Sequence, residues 1–162
     1  MKNMTLSNIA SACNGRLYSD KDCIRKEVSG VVIDSRLVQK DFLFIATKGK
    51  TVDGHSYIDS AFKSGALAVI CEQAPQNPAG PYILVDNSLQ ALKDIAKWYR
   101  SQLNIKVVGI TGSVGKTSTK EFISSVLATK YRVLKTEGNF NNEIGLPLTI
   151  LRLQEHHEIA VL

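Results

Sequence analysis

The 162-residue sequence is poor in the features that mark several large protein classes. It has only three cysteines, Cys13, Cys23 and Cys71. The number is odd, no C-x-x-C is present and no histidine stands at ligand spacing, so neither a disulfide framework nor a zinc site is supported. Cys13 and Cys71 sit in apolar patterns and read as core thiols. No apolar run approaches the roughly 20 residues of a membrane span. Met1–Ser11 is mixed polar and has no apolar stretch of the signal-peptide kind, so the expectation is a cytoplasmic, reducing location with no membrane. The net charge of +5 is not gathered into a basic stripe, and no aromatic-rich nucleic-acid module is visible. An anionic small ligand fits that charge better than nucleic acid. Apolar residues make up 44% and charged residues 22%, ordinary for a soluble globular protein, and the length suits one domain or two small ones.

What is present centres on residues 107–119, VVGITGSVGKTST. A strand over 106–110, a glycine-rich turn over Thr111–Gly115, and Lys116-Thr117 opening a helix make the order of a phosphate-binding loop. Small residues let successive N–H groups curl around phosphate oxygens, and the helix N-terminus adds partial positive charge. Lys116 would reach the β- and γ-phosphates, and the Thr117 hydroxyl would ligate Mg²⁺. The strict pattern G-x-x-x-x-G-K-[ST] wants glycine where Ile110 stands, so the loop is a T-G-x-x-G-K-T variant with Gly112 in the middle.

Ahead of this loop the pattern predicts a small α/β unit. Thr5 caps a helix stopped by Asn14-Gly15. Strands are expected over 28–34, 42–46, 66–71 and 82–85, with Gly30 marking a bulge, and a helix over 56–63 with Tyr57, Ile58, Ala61 and Phe62 on its apolar face. The polar loops Asp34-Ser35-Arg36 and 47–55 both follow strands, where open α/β sheets place ligands. Asn87 or Ser88 caps a helix to about Leu103 that joins two domains, with Trp98 a packing residue beside its apolar stripe. After the loop, Phe122, Ile123, Val126 and Leu127 are expected to form a buried helix face. Lys120 lies near enough to see phosphate or could equally be solvated. A strand over 132–135 leads to TEGNFNNEIGLP, whose asparagines either simply build turns or line the nucleotide–metal site. A helix over 146–153 and a strand from Glu158 end the chain. The strand that would carry an acidic metal ligand is not followed by one, so the second domain reads as cut short.

The pair TGSVGKTSTKEF and GNFNNEIGLPLTIL resembles the ATP-dependent Mur ligases of bacterial peptidoglycan synthesis, and VVIDSR, DFLFIATKG and DGHSYIDSAFKSGALAVI resemble their UDP-sugar-binding domain. The resemblance spans the chain. Ser113-Val114, Lys120 and GNFNNEIG point to the branch that adds D-alanyl-D-alanine rather than to its tripeptide-forming sister. It implies an α/β protein with a UDP-substrate-binding domain over 1–86, a connecting helix over 87–104 and the beginning of a P-loop parallel-sheet ATPase domain over 105–162. It implies ATP and Mg²⁺ as cofactors, UDP-N-acetylmuramoyl-tripeptide and D-Ala-D-Ala as substrates, an acyl phosphate on the way to the amide, and a monomer. ATP contacts carry over to Thr111, Gly112, Ser113, Val114, Gly115, Lys116, Thr117, Ser118, Asn139 and Asn142, with Lys116 catalytic and Thr117 on the metal. UDP contacts carry over by position to Ser35, Arg36, Thr47, Asp53 and His55, although His55 could equally cap its own loop; His156 and His157 read as surface residues. The family's other metal ligands, its modified lysine and its acceptor domain are expected beyond Leu162, which makes the 162 residues alone catalytically silent. The alternative is a stand-alone P-loop nucleotide-binding module without ligase activity.

Overall fold

The computed structural model describes residues 1–49, 52–138, 140 and 142–162. Two sheets contribute to one core together with one long helix. The first has five strands: β1 (Arg16–Tyr18), β2 (Gly30–Val32), β3 (Phe42–Ile45), β4 (Ala66–Cys71) and β5 (Tyr82–Leu84). Their order is β1-β5-β4-β3-β2, all parallel except β1, which runs antiparallel to β5. The second is wholly parallel, with β6 (Lys106–Val108), β7 (Val133–Lys135) and β8 (Ile159–Val161) in the order β6-β8-β7. The helices are α1 (Leu6–Ala12), α2 (Ile58–Lys63), α3 (Ser88–Ser101), α4 (Lys116–Ala128) and α5 (Gly145–Ile150).

The local chemistry explains most of these boundaries. The Thr5 hydroxyl accepts from the Asn8 N–H at 3.2 Å and starts α1. Asn14 then takes a left-handed φ of 50°, and the Gly15 N–H returns to the Ala10 carbonyl, closing the helix. The Asn87 side chain accepts from the Gln90 N–H at 2.8 Å and starts α3. In β3 and β4 alternate residues point to opposite faces. Leu43, Ile45, Ala68 and Ile70 face α1 and α3, while Phe44, Val69 and Cys71 face α2. Both faces of the first sheet are therefore covered, which is why these strands read as continuous apolar runs. The larger core continues past α3 to Leu134, Leu153 and Ala160 of the second half. Tyr99 on α3 is fully buried, and its hydroxyl donates to the Leu153 carbonyl at 2.7 Å. Trp98 packs half-buried against the same core.

Several expectations are corrected. Gly30 marks no bulge: it pairs in register with Phe42, whose ring fills the space a side chain would take. The irregularity falls instead between Phe42 and Leu43, where β3 meets β4. The segment Gly54–Tyr57 is a 3₁₀ turn rather than the first turn of α2. The largest difference is α4, which buries Lys120 and Ser124 while Phe122 is 73% and Val126 69% exposed. Packing against β7 and β8 selects the stripe one step round from the most apolar one.

Candidate functional site

Two sites lie at the carboxyl ends of the two sheets. The first is a cavity of about 480 Å³ lined by Ser35, Arg36, Phe44, Thr47 and Tyr57, with Asp34 at its rim. Two aspartates build its walls. Asp34 caps the Ser35–Leu37 turn through the Arg36 N–H and also grips the Arg36 side chain, with Nε donating to Oδ1 at 2.9 Å and Nη2 to Oδ2 at 2.7 Å. Those bonds hold the Asp34 carboxyl at about 2. Asp53 caps the next turn through the His55 N–H at 3.0 Å, and that N–H first, then the His55 ring, lower its carboxyl.

His55 is a latch. Nδ1 lies 2.6 Å from Asp53 Oδ1, and Nε2 accepts the Glu72 N–H at 2.9 Å, which fixes the neutral tautomer with its proton on Nδ1. The Glu72 carboxylate in turn accepts the Ser88 N–H at the start of α3. Both ring nitrogens are engaged within the protein, so of the two readings the geometry favours the loop-capping one. Gly54 makes the loop close: its N–H bonds the Thr47 carbonyl at 2.9 Å, and a Cβ there would stand 2.8 Å from the Thr47 nitrogen. Ser35, Arg36 and Thr47 come together at this cavity; Asp53 and His55 brace it. Tyr57, placed by sequence reasoning on a buried helix face, is instead half-exposed and lines the cavity. Its signal was the run Asp53-Gly54-His55, a 3₁₀ start that shifts the helical phase.

The second site is the glycine-rich loop. β6 ends at Val108, the loop crosses the sheet edge, and α4 begins at Lys116 with Gly115 as its N-cap. Gly112 and Gly115 take φ values of 150° and 81°, backbone shapes that an L side chain resists. Where α1 and α3 carry a side-chain cap, α4 has neither a cap bond nor an acidic residue in its first turn. Its first N–H groups therefore remain for an external acceptor, and an anion is the natural one. The Lys116 ammonium folds back onto the Gly112 carbonyl, across the mouth of the loop. Thr111, Ser113, Val114, Thr117 and Ser118 are exposed around it. Ile110 stands where the general pattern has glycine, and its N–H bonds the Leu162 carbonyl at 2.9 Å, tying the loop's entry to the end of β8.

Lys120 is not solvated, and it lines a small cavity together with Lys116 and Thr117. It is 6% exposed, and its ammonium donates to the carbonyls of Thr136 at 2.5 Å and Gly138 at 3.2 Å. It thereby fastens the segment after β7 to the phosphate-loop helix. Asn142 lies further on, with Oδ1 accepting the Ile144 and Gly145 N–H groups at 3.1 and 2.7 Å to start α5. It lines not the loop but a groove of about 480 Å³ running from Val31, Ile33 and Asp34 to Glu137, Leu148 and Arg152. Asn139 lies outside the described residues. Arg152 and Glu137 form an ion pair of 2.7 Å in that groove, which lowers the Glu137 carboxyl; no local pattern announced either residue.

A loop of this type implies a divalent cation beside the phosphates. Among the described residues no three acidic, histidine or cysteine side chains converge to hold one. The exposed Thr117 hydroxyl at the second position of α4 suits a cation bound chiefly by phosphate and water, with one protein oxygen. No described helix is long and apolar enough to cross a membrane.

A parallel sheet whose first strand runs through a glycine-rich loop into an uncapped helix defines a P-loop-type phosphate-binding α/β protein. Comparison with known proteins narrows the class. Residues 27–100 match the model described as Mur ligase family, catalytic domain, and residues 110–162 the Mur ligase middle domain. The chain belongs to the Mur ligase family. It is 46% identical over 160 residues to the UDP-N-acetylmuramoyl-tripeptide–D-alanyl-D-alanine ligase of Bacillus subtilis, an alignment that takes in 98% of this chain and 35% of the relative. A crystal structure of MurF from Acinetobacter baumannii superposes with a TM-score of 0.88 at 31% identity, over 98% of this chain and 35% of that one. The MurF ligase of Thermotoga maritima, solved in complex with ADP, gives 0.73 at 42% identity over 82% of this chain and 31% of that one. The chain thus spans about a third of the length of these relatives.

Proposed function

We propose that this chain is the UDP-substrate and phosphate-loop portion of an ATP-dependent amide ligase that joins D-alanyl-D-alanine to UDP-N-acetylmuramoyl-tripeptide. One observation carries the reading: the cavities adjoin one another. The Ser35–Arg36 cavity and the groove share Ile33 and Asp34, and the groove's far wall, Glu137, is flanked by Thr136 and Gly138, which line the small cavity beside Lys116 and Thr117. A long substrate anchored by its uridine diphosphate at one end can lay its peptide towards the phosphate loop. The division at residues 86 and 104 into a UDP domain, a joining helix and an ATP domain belongs to this reading, as does a monomer working in the cytoplasm; three free cysteines suit a reducing compartment.

The parts then have distinct work. Ser35, Thr47 and the outer face of the Arg36 guanidinium hold the diphosphate, with Tyr57 available to stack on the uracil. Lys116 and the first N–H groups of α4 hold the nucleotide's phosphates and offset negative charge as the phosphoryl passes to the peptide's terminal carboxylate. Thr117 supplies a ligand for Mg²⁺, which when bound neutralises phosphate charge. The incoming amine of D-Ala-D-Ala displaces the phosphate to give the amide. Lys120 and Asn142 shape the segment between the two ends.

The test has two arms. Over the relatives' full length, the protein should consume ATP and extend the tripeptide with D-Ala-D-Ala; addition of a diamino acid to the UDP-linked dipeptide instead would move it to the sister activity, and the absence of both reactions would remove the ligase assignment. On the 162-residue chain, expected to be inactive alone, UDP-N-acetylmuramoyl-tripeptide should bind more tightly than UDP in calorimetry. Equal affinity would remove the groove from the substrate path.

A further inference from the structure

We propose that Thr136 is a further residue of the phosphate site, where its hydroxyl accepts a hydrogen bond from a water bound to the divalent cation, with Lys120 as the positioning residue that holds it there. The inference rests on the nucleotide reading above and adds a residue to that site.

Thr136 is the first residue after β7 and is 3% exposed. Both of its backbone polar groups are tied. The N–H donates to the Val161 carbonyl at 3.0 Å, and the carbonyl accepts from Lys120. Among the described residues its hydroxyl alone has no partner. A buried hydroxyl left unmade is costly, and such orphans call for a specific explanation. Ser88 and Ser124 also carry orphaned hydroxyls, but neither lines any of the cavities described above. Thr136 lines a cavity of about 40 Å³ together with Ile110, Lys116, Thr117, Lys120 and Gly138. That volume has room for a bound water, which needs about 10–15 Å³. It borders the two side chains assigned to phosphate and cation, Lys116 and Thr117.

The charge balance also fits. Lys120 spends two of its three donors on the Thr136 and Gly138 carbonyls, and its ammonium lies 3.4 Å from the Glu121 carboxylate. It is thus occupied as a fastener rather than aimed at phosphate. A cation polarises its bound water and makes it a strong donor. A hydroxyl held at fixed range by a buried lysine is a suitable acceptor for it, and such outer partners orient what the cation carries.

Calorimetry of ADP binding to this chain, in Mg²⁺ and in EDTA, tests the assignment with Thr136→Val, which keeps the shape and removes the hydroxyl. The wild-type chain should bind ADP more tightly in Mg²⁺. Thr136→Val should lose about three- to tenfold of that gain, as one hydrogen bond is worth, while its affinity in EDTA holds and its melting temperature holds or rises, because an unpaired buried hydroxyl is removed. Thr136→Ser should keep the gain. Lys120→Met should lose it and also melt earlier. A full Mg²⁺ gain in Thr136→Val, or an equal loss in EDTA, overturns the inference and leaves the proposed function standing. A wild-type chain that binds no ADP in either buffer overturns both.

Discussion

The two ends of the molecule meet ligands in opposite ways. At the first sheet, both faces are covered and the loops are tied down before any ligand arrives: Asp34 holds Arg36, Asp53 holds His55, and His55 holds Glu72. At the second, the loop is exposed, α4 starts without a side-chain cap, and Phe122 and Val126 face outward. The first site is preorganised by side-chain bonds within the protein. The second keeps its backbone donors uncommitted, as suits a doubly charged phosphate that supplies the missing acceptors itself. An anchor for the constant end of a substrate benefits from rigidity, whereas a phosphate loop has to release its product.

That contrast can be broken at either end. The largest effect is expected from Leu43→Ala, which empties a fully buried position between sheet and helices and should cost about 2–5 kcal/mol. Phe122→Ser, on the exposed face of α4, should change stability by under about 0.5 kcal/mol. Chemical denaturation of both variants checks the pair, and equal losses would mean that α4 is buried in solution. Next comes Lys116→Ala. Loss of a charge-assisted contact to phosphate should weaken ADP by about ten- to a hundredfold and leave UDP binding unchanged. His55→Ala should do the reverse on a smaller scale, weakening UDP by about three- to tenfold through a loosened loop while ADP affinity holds. The smallest effect is acid-dependent. The Asp34 carboxyl is held at about 2, below its ordinary 3.8, so the ion pair's contribution is complete above pH 4 and disappears as pH falls towards 2. The melting temperature of Asp34→Asn should therefore trail the wild type at neutral pH and converge with it at about pH 2. Arg36 is highly exposed, which keeps the gap small.

The sequence disclosed what depends on fixed local offsets. Gly112, Gly115 and Lys116-Thr117 mark the loop because the positive-φ turns and the helix start need those residue types at those places. The caps at Thr5 and Asn87 were legible for the same reason. What escaped depends on distant partners. Strand β1 is three residues long and flanked by polar turns, and it exists because β5 offers an edge to pair with. The buried face of α4 follows from where β7 and β8 lie, against its apolar periodicity. Lys120 gave no sign of its bonds to residues 16 and 18 positions away, nor Arg152 of its pairing with Glu137. The family relationship was legible because its signature is a pair of local motifs; the adjoining cavities between the two sheets needed the fold.

The central claim is that one chain carries two separate sites, a braced one for UDP and an open one for nucleotide phosphates. Titrating UDP and ADP into the same sample, each alone and each after saturation with the other, tests it most directly. The account predicts two one-to-one binding events, each keeping its affinity when the other ligand is bound. Mutual displacement of UDP and ADP, or a well-folded chain that takes up only one of them, would contradict it.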